Sequence, residues 1–412
     1  MFKRTAFITT ALALTIALAV TIAASTDSLT KPSSVIVHEW GTFTTVAGPN
    51  GDAIDWLPLS GPVDLPCFVL HFERDNKQVI YKSMSAAAVP LSYEDARKQL
   101  IGRVRMETPV LYFYTSTAQD LRVKVDFPHG IISEWYPGAA VEPTVIRKNT
   151  LTPANNPNAS ITWENVHLLP GAKEDFASGS EASHYYAARA TDASPIRVNG
   201  FDEKFLFYRG IGDFPAPLNV TVTDNGQIRL RHLAGKPGVI LFESRGGKMG
   251  YRLVDTTKNE AVLEPLALTG DFASLRKDLE SVLVSQGLYA KEAAAMVETW
   301  RDSWFTEGTR VFYIVPPAMI DQILPLSISP KPESTARVFV GRIEVFTPAT
   351  IDAVEKAVEA IDWQTLRLYG RYLGPISERI LAKPGKPGRG PITGVLASAL
   401  REYLDNLSKC AN

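Results

Sequence analysis

From Val35 to about Gly250 the chain is cut into short apolar segments by Pro, Gly, Asn and Asp, a rhythm that leaves little room for anything but an antiparallel β body. Leu121, Val123, Val125 and Phe127 fall on one side of their segment, and Arg122, Lys124 and Asp126 on the other. That period of two marks a strand with one buried face. Further strands are expected over 35–46, 104–114 and 161–168. Others follow over 187–190, 205–209, 218–223, 227–232, 239–244 and 249–254. This near-regular spacing predicts a sandwich or barrel. Residues 67–72 and Val79–Tyr81 are expected to pair as a hairpin across 74–77. Ser92 is placed to cap a short helix over 93–101.

The period changes at Asp271. Ala273, Leu275, Leu279, Val282 and Leu283 recur at helical spacing, as do Ala293, Met296, Val297 and Trp300, which predicts a helical hairpin over 270–305. Strands return over 306–346 and complete the β-rich part begun at 35–255. Thr347-Pro348 is a helix start, with Thr as N-cap and Pro at N1. Helices are expected over 347–382, then a Pro/Gly linker over 383–391 and a last helix over 392–412. The predicted fold class is α+β, mainly antiparallel β and sandwich-like, with a helical hairpin insertion and C-terminal helices. A length of 412 residues suggests two packed units.

The N-terminus carries an export pattern over 1–25. Lys3 and Arg4 precede a run without charge, Gly or Pro from Thr5 to Ala24, and Ala23-Ala24-Ser25 supplies small residues at a cleavage position. The run is also near the length of a bilayer span, so the segment is either cleaved or kept as an anchor, with membrane contact only through residues 5–24. Either way the positive end stays inside and the rest of the chain is expected outside the cytoplasm, periplasmic or secreted. Residues 26–34 form a polar tether. Removing Lys3 and Arg4 from 43 basic residues, against 44 acidic, leaves a net charge near −3, which argues against a nucleic-acid partner. The two cysteines, Cys67 and Cys410, either pair in an oxidising compartment or stay separate, with Cys67 buried.

Sequence motifs for nucleotide binding, a serine nucleophile elbow or a paired Cys-x-x-Cys metal or redox site are absent. His38-Glu39-Trp40-Gly41-Thr42 approaches the His-Glu-x-x-His pattern but lacks the second His and lies on a strand. There His38 and Glu39 point to opposite faces unless a bulge near Gly41 turns one of them. With that bulge they are candidate ligands of a divalent metal; without it, His38 is a hydrogen-bonded core residue. Glu107 precedes a proline and shares a strand face with Arg103 and Arg105. It is either one rung of an Arg–Glu ladder or a candidate catalytic carboxylate. Glu134, with His129, Trp135 and Tyr136, is a second candidate, suited to proton transfer or to a sugar hydroxyl beside aromatic rings. The alternative is a hairpin tip with its rings in the core.

His38-Glu-Trp-Gly-Thr-Phe-Thr44, Met106-Glu-Thr-Pro-Val110 and Trp304-Phe-Thr-Glu-Gly308 together resemble an uncharacterised family of secreted bacterial proteins. The resemblance implies export and a shared fold, and brings no activity or catalytic residue with it. Three functions fit the sequence: an exported protein binding carbohydrate or peptide, a metal-assisted extracytoplasmic hydrolase, or a structural envelope component. The expected partner is an envelope polysaccharide or protein.

Overall fold

The computed structural model describes residues 34–62, 64–72, 79–81, 90–147, 158–179, 183–382 and 389–405. In chain order the strands are β1 (Ile36–Val46), β2 (Leu70–His71), β3 (Val79–Tyr81), β4 (Val104–Tyr114), β5 (Gln119–Phe127), β6 (Gly130–Tyr136), β7 (Ala140–Glu142), β8 (Val145–Arg147), β9 (Ala159–Leu168), β10 (Ile196–Val198), β11 (Phe201–Glu203), β12 (Leu206–Gly212), β13 (Asn219–Val222), β14 (Ile228–Arg231), β15 (Ile240–Arg245), β16 (Lys248–Leu253), β17 (Glu260–Leu263), β18 (Gly308–Ile314), β19 (Leu326–Ser329) and β20 (Ser334–Val345). The helices are α1 (Tyr93–Arg97), α2 (Phe272–Ser285), α3 (Ala290–Thr299), α4 (Arg301–Trp304), α5 (Pro317–Ile323), α6 (Pro348–Glu359), α7 (Trp363–Leu368), α8 (Leu373–Ala382) and α9 (Arg389–Asp405).

Nine strands form the central sheet, in the order β16-β15-β18-β20-β1-β4-β12-β6-β2. Its pairs are antiparallel except β1 with β20, which run parallel with Ile36 opposite Ser334. A second sheet, β11-β10-β9-β5-β19 with β7 on β9, and a small sheet, β13-β14-β17, lie apart from it in the hydrogen-bonding pattern. The chain is therefore α+β, with mainly antiparallel, sandwich-like sheets, a helical hairpin and C-terminal helices.

Alternation along β1 sorts the molecule into layers. Val35, Val37 and Phe43 turn to one side and pack with Val123, Val125, Phe127, Ile161 and Trp163 of the second sheet. The even-numbered residues turn to the other side, which helices cover in two separate patches. Trp40 joins Leu275, Leu279, Leu283, Met296 and Trp300 of the hairpin. Val46 instead joins Ile351, Val354, Leu366, Ile376 and Leu396 of the C-terminal helices. Each fully buried leucine in these patches contributes roughly 1.5–3 kcal/mol. Helix starts follow local chemistry: Asp271 accepts from Ser274 N, and Thr347 accepts from Thr350 N ahead of Pro348 at N1.

Several expectations change. The described residues from 34 onward belong to one compact unit, not two, and the leader and most of the tether over 1–33 lie outside the described residues. Residues 67–72 and 79–81 do not pair with each other: β2 pairs with β6, and β3 with β8. The stretch at 187–190 is not a strand: it closes a 3-10 turn, His184–Arg189, with Ser183 as N-cap and Ala190 as C-cap. Glu134 is not on a loop but lies buried within β6. Of the linker expected over 383–391, residues 383–388 lie outside the described residues and 389–391 instead open α9; Cys410 also lies outside the described residues. Cys67 is disulfide-bonded. Among the described residues no helix is long and apolar enough to cross a membrane.

Candidate functional site: a buried arginine band

Between the two helix-covered patches the same sheet face carries a polar band. It crosses the sheet from Arg310 on β18, through Arg342 and Glu344 on β20, Thr42 and Thr44 on β1, and Arg105 and Glu107 on β4. Arg209 on β12 and Glu134 on β6 complete it. All of these are buried.

Backbone irregularities aim these side chains. Trp40 pairs with Val110 and Thr42 with Glu107, so Thr108 and Pro109 together oppose the single residue Gly41. A second break lies between β12 and β6, where Arg209 pairs with Glu134 but Gly210 with Ile132. Bulges of this kind bend the strand and redirect side chains. Gly41 permits the first one: a Cβ there would stand 3.1 Å from Pro109 Cα and 2.8 Å from Phe339. Thr108 sits at the kink with φ +44°. A β-branched residue in that region carries strain of about 1–3 kcal/mol, and the proline after it further disfavours that backbone.

Ion pairs bind the band together. Arg342 Nε donates to Glu344 Oε1 at 2.5 Å, and Arg310 Nε lies 3.2 Å from the same oxygen. Arg209 donates twice to Asp64, at 2.7 and 3.3 Å, and Arg105 lies 3.6 Å from it. Arg105 Nε is 3.4 Å from Glu107, which also accepts from Thr44 at 2.8 Å. Arg97 donates to Glu134 at 3.1 Å, with Tyr93 donating to the same oxygen at 2.5 Å. Arg371, from the short turn after α7, donates to Pro58 O at 3.2 Å, and Arg105 donates to that same carbonyl. Among the described residues the band thus gathers six arginines (97, 105, 209, 310, 342 and 371) around four carboxylates (Asp64, Glu107, Glu134 and Glu344), two more positive than negative groups.

The titration shifts follow. Burial alone would raise Glu107, but Arg105, Arg371, Arg342 and Arg209 outweigh it and hold the carboxyl below its usual range. Glu134 is likewise held down against burial, by Arg209 and Arg97 first, and Asp64 by Arg209 and Arg105. Burial, with the positive charges of Arg371 and Arg209, brings Arg105 down to about 10. Asp64, Glu107 and Glu134 are therefore ionised and already engaged, which makes them weak bases and unsuited to donate a proton at neutral pH.

A cavity of ≈ 430 Å³ opens beside the band, within the roughly 300–1,000 Å³ of small-ligand sites. Thr108, Arg209 and Arg342 contribute to its wall from the sheet, with Asp64 from the loop before β2 and Arg371 from the turn after α7. Thr299, Trp300, Asp302 and Ser303 contribute from the hairpin, and Tyr369 and Tyr403 from the C-terminal helices. His184 and Asp302, 2.7 Å apart, also line it. Four of the lining side chains carry a buried polar atom with no hydrogen-bond partner in the protein: Arg209 Nε, Arg342 Nη2, Trp300 Nε1 and Thr299 Oγ1. Three of these are N–H groups that can only donate. Leaving such a donor buried and unsatisfied costs about 1–3 kcal/mol, and more when it is charged.

The structure thus brings Glu107 and Glu134 into one band, both under the field of Arg209. It does not bring His38 and Glu39 together. His38 points to the hairpin side, its Nδ1 2.7 Å from Glu292 Oε2, between the rings of Tyr114 and Tyr289. Glu39 points to the second sheet, where Tyr208 and Arg337 each donate to it at 2.6 Å. The bulge falls on β4 opposite Gly41, leaving the β1 alternation intact. Among the described residues no group of three His, Cys, Asp or Glu could hold a metal ion. Arg209, Arg342 and Arg371 were not singled out from the sequence. The available signal was an arginine within otherwise apolar strand segments, as in Phe205-Leu-Phe-Tyr-Arg209 and Val338-Phe-Val-Gly-Arg342. No protein-family model matches the chain, and no curated protein matches it at a significant level.

Proposed function

We propose that this is an exported binding protein whose ligand presents an anionic, oxygen-rich group to the arginine cavity. The observation that carries this reading is the charge of the cavity wall, which Arg209, Arg342, Arg367 and Arg371 line against the two carboxylates Asp64 and Asp302. An acceptor is what such a wall lacks, and a carboxylate or similar oxyanion meets guanidinium geometry with two parallel hydrogen bonds. The strained Thr108 on the same wall supports a functional rather than purely structural kink, because such strain concentrates at sites of use. The leader pattern and the disulfide at Cys67 suit an oxidising compartment outside the cytoplasm. Acidic saccharides and peptides both carry the required group.

Calorimetric titration with matched pairs tests this: glucuronate against glucose, and N-acetylalanine against its amide. The anionic member of at least one pair should bind at least tenfold more tightly, and Arg371→Gln should erase the difference. Equal affinity within both pairs overturns the proposal.

A further inference from the structure

We infer that the ligand is the carboxyl end of a peptide whose last residue has an apolar side chain; this rests on the anion-binding reading above. A second cavity of ≈ 220 Å³ adjoins the arginine cavity, its apolar wall made by Trp363, Leu366, Leu373 and Ala399 and its polar edge by the Arg367–Glu402 ion pair. The two share Pro62, Arg367, Gly370 and Tyr403 as walls. Tyr403, from α9, lies against Gly61, whose φ of +91° and missing side chain leave the space for its ring. The partition between an oxyanion-seeking wall and an apolar chamber therefore includes a single aromatic side chain. At ≈ 220 Å³ the chamber has room for an apolar side chain the size of leucine or phenylalanine.

Three demands meet at this place. The arginine wall calls for an oxyanion, the apolar chamber for a hydrocarbon arm a short distance from it, and the exposed carboxylate of Asp302, whose Oδ2 already faces His184 at 2.7 Å, can accept one further hydrogen bond at the rim of the first cavity. A C-terminal residue supplies all three at once, as carboxylate, side chain and backbone N–H. A fatty acid has no donor, and a uronic acid has no apolar arm.

The test is a titration of the purified protein with N-acetyl-Ala-Leu, N-acetyl-Ala-Gly, the amide of N-acetyl-Ala-Leu, and hexanoate. Each buried carbon is worth about fourfold in affinity, so the leucine peptide should bind at least tenfold more tightly than the glycine peptide. Its amide should lose at least tenfold. Ala399→Phe, which fills the second chamber, should remove the leucine advantage and leave the glycine peptide's affinity unchanged. Equal binding of the leucine and glycine peptides would overturn the inference while the carboxylate-over-amide preference still upheld the anion reading. Hexanoate binding as tightly as the leucine peptide would also overturn it. If neither the peptides nor hexanoate bind, the peptide inference is overturned, and the anion reading is then decided by the glucuronate–glucose pair. The wild-type series decides on its own if Ala399→Phe does not fold.

Discussion

Removing one acid from the band should cost more than removing one arginine. Glu344 is the sharpest case, since its Oε1 serves Arg342 at 2.5 Å and Arg310 at 3.2 Å with all three side chains buried. Glu344→Gln keeps the shape and removes the charge. Each arginine then loses a charge-assisted contact worth roughly 1.5–3 kcal/mol, and the two cations face each other without an anion between them. Breaking a buried pair typically costs about 3–5 kcal/mol, and we expect a loss in that range. Arg371 is the counterpart. Its hydrogen bond is to Pro58 O, and among the described residues no carboxylate lies within ion-pair distance of it. Arg371→Met relieves Arg105 and keeps much of the apolar volume, but it gives up the attraction of Glu107 and Asp64 that outweighs burial and holds the Arg371 guanidinium above its usual pKa, so the expected cost is about 1–3 kcal/mol, below that of Glu344→Gln. Urea unfolding in a chloride buffer free of sulfate and phosphate reads both values. Adding an oxyanion ligand at about a hundred times its Kd should return roughly 2.7 kcal/mol to any variant that still binds it. If Arg371→Met costs as much as Glu344→Gln, the surplus of positive charge is not real and the reasoning fails.

Three further outcomes follow from the same geometry. Asp64, Glu107 and Glu134 all have folded pKa values below their unfolded ones. Their stabilisation is complete above the unfolded carboxylate range near 4 and is lost as pH falls through the lower folded values. Urea midpoints should stay level from about pH 7 to 5 and drop below about 4; a midpoint that rises on acidification would contradict this. Gly41→Ala should cost about 1–3 kcal/mol by overpacking against Phe339 and Pro109, and a variant as stable as the parent would remove the close-approach argument for the bulge. His38→Ala should destabilise by about 3 kcal/mol because Glu292 loses a buried partner. It should leave anion affinity unchanged, because His38 is not part of the cavity wall. A loss of affinity without a loss of stability would place His38 at the site after all.

Local pattern carried much of the fold. The alternation at Leu121–Phe127 and the helical spacing at Leu275–Leu283 each depend on neighbours a few residues away, and both segments adopt the expected form. What local pattern does not encode is which strands meet. The parallel pairing of β1 with β20 joins segments nearly three hundred residues apart, and β2 finds β6 rather than the nearby β3. The site shows the same division. Glu107 and Glu134 stand out as carboxylates in apolar strands, and they lie in the band. The arginines opposite them come from β4, β12, β20, α1 and the turn after α7, and only the tertiary fold shows that they face each other. His38 and Glu39 drew attention as neighbours in sequence, which on a strand with unbroken alternation means opposite faces.

The most direct test of the central claim observes the guanidinium groups themselves. Arginine side-chain NMR, with signals assigned through Arg342→Lys and Arg371→Lys, should show the Arg342 and Arg371 resonances shifting saturably on titration with N-acetylalanine. The Kd should match calorimetry, with no response to the amide. Unchanged Arg342 and Arg371 signals in the folded protein at saturating carboxylate would contradict the account.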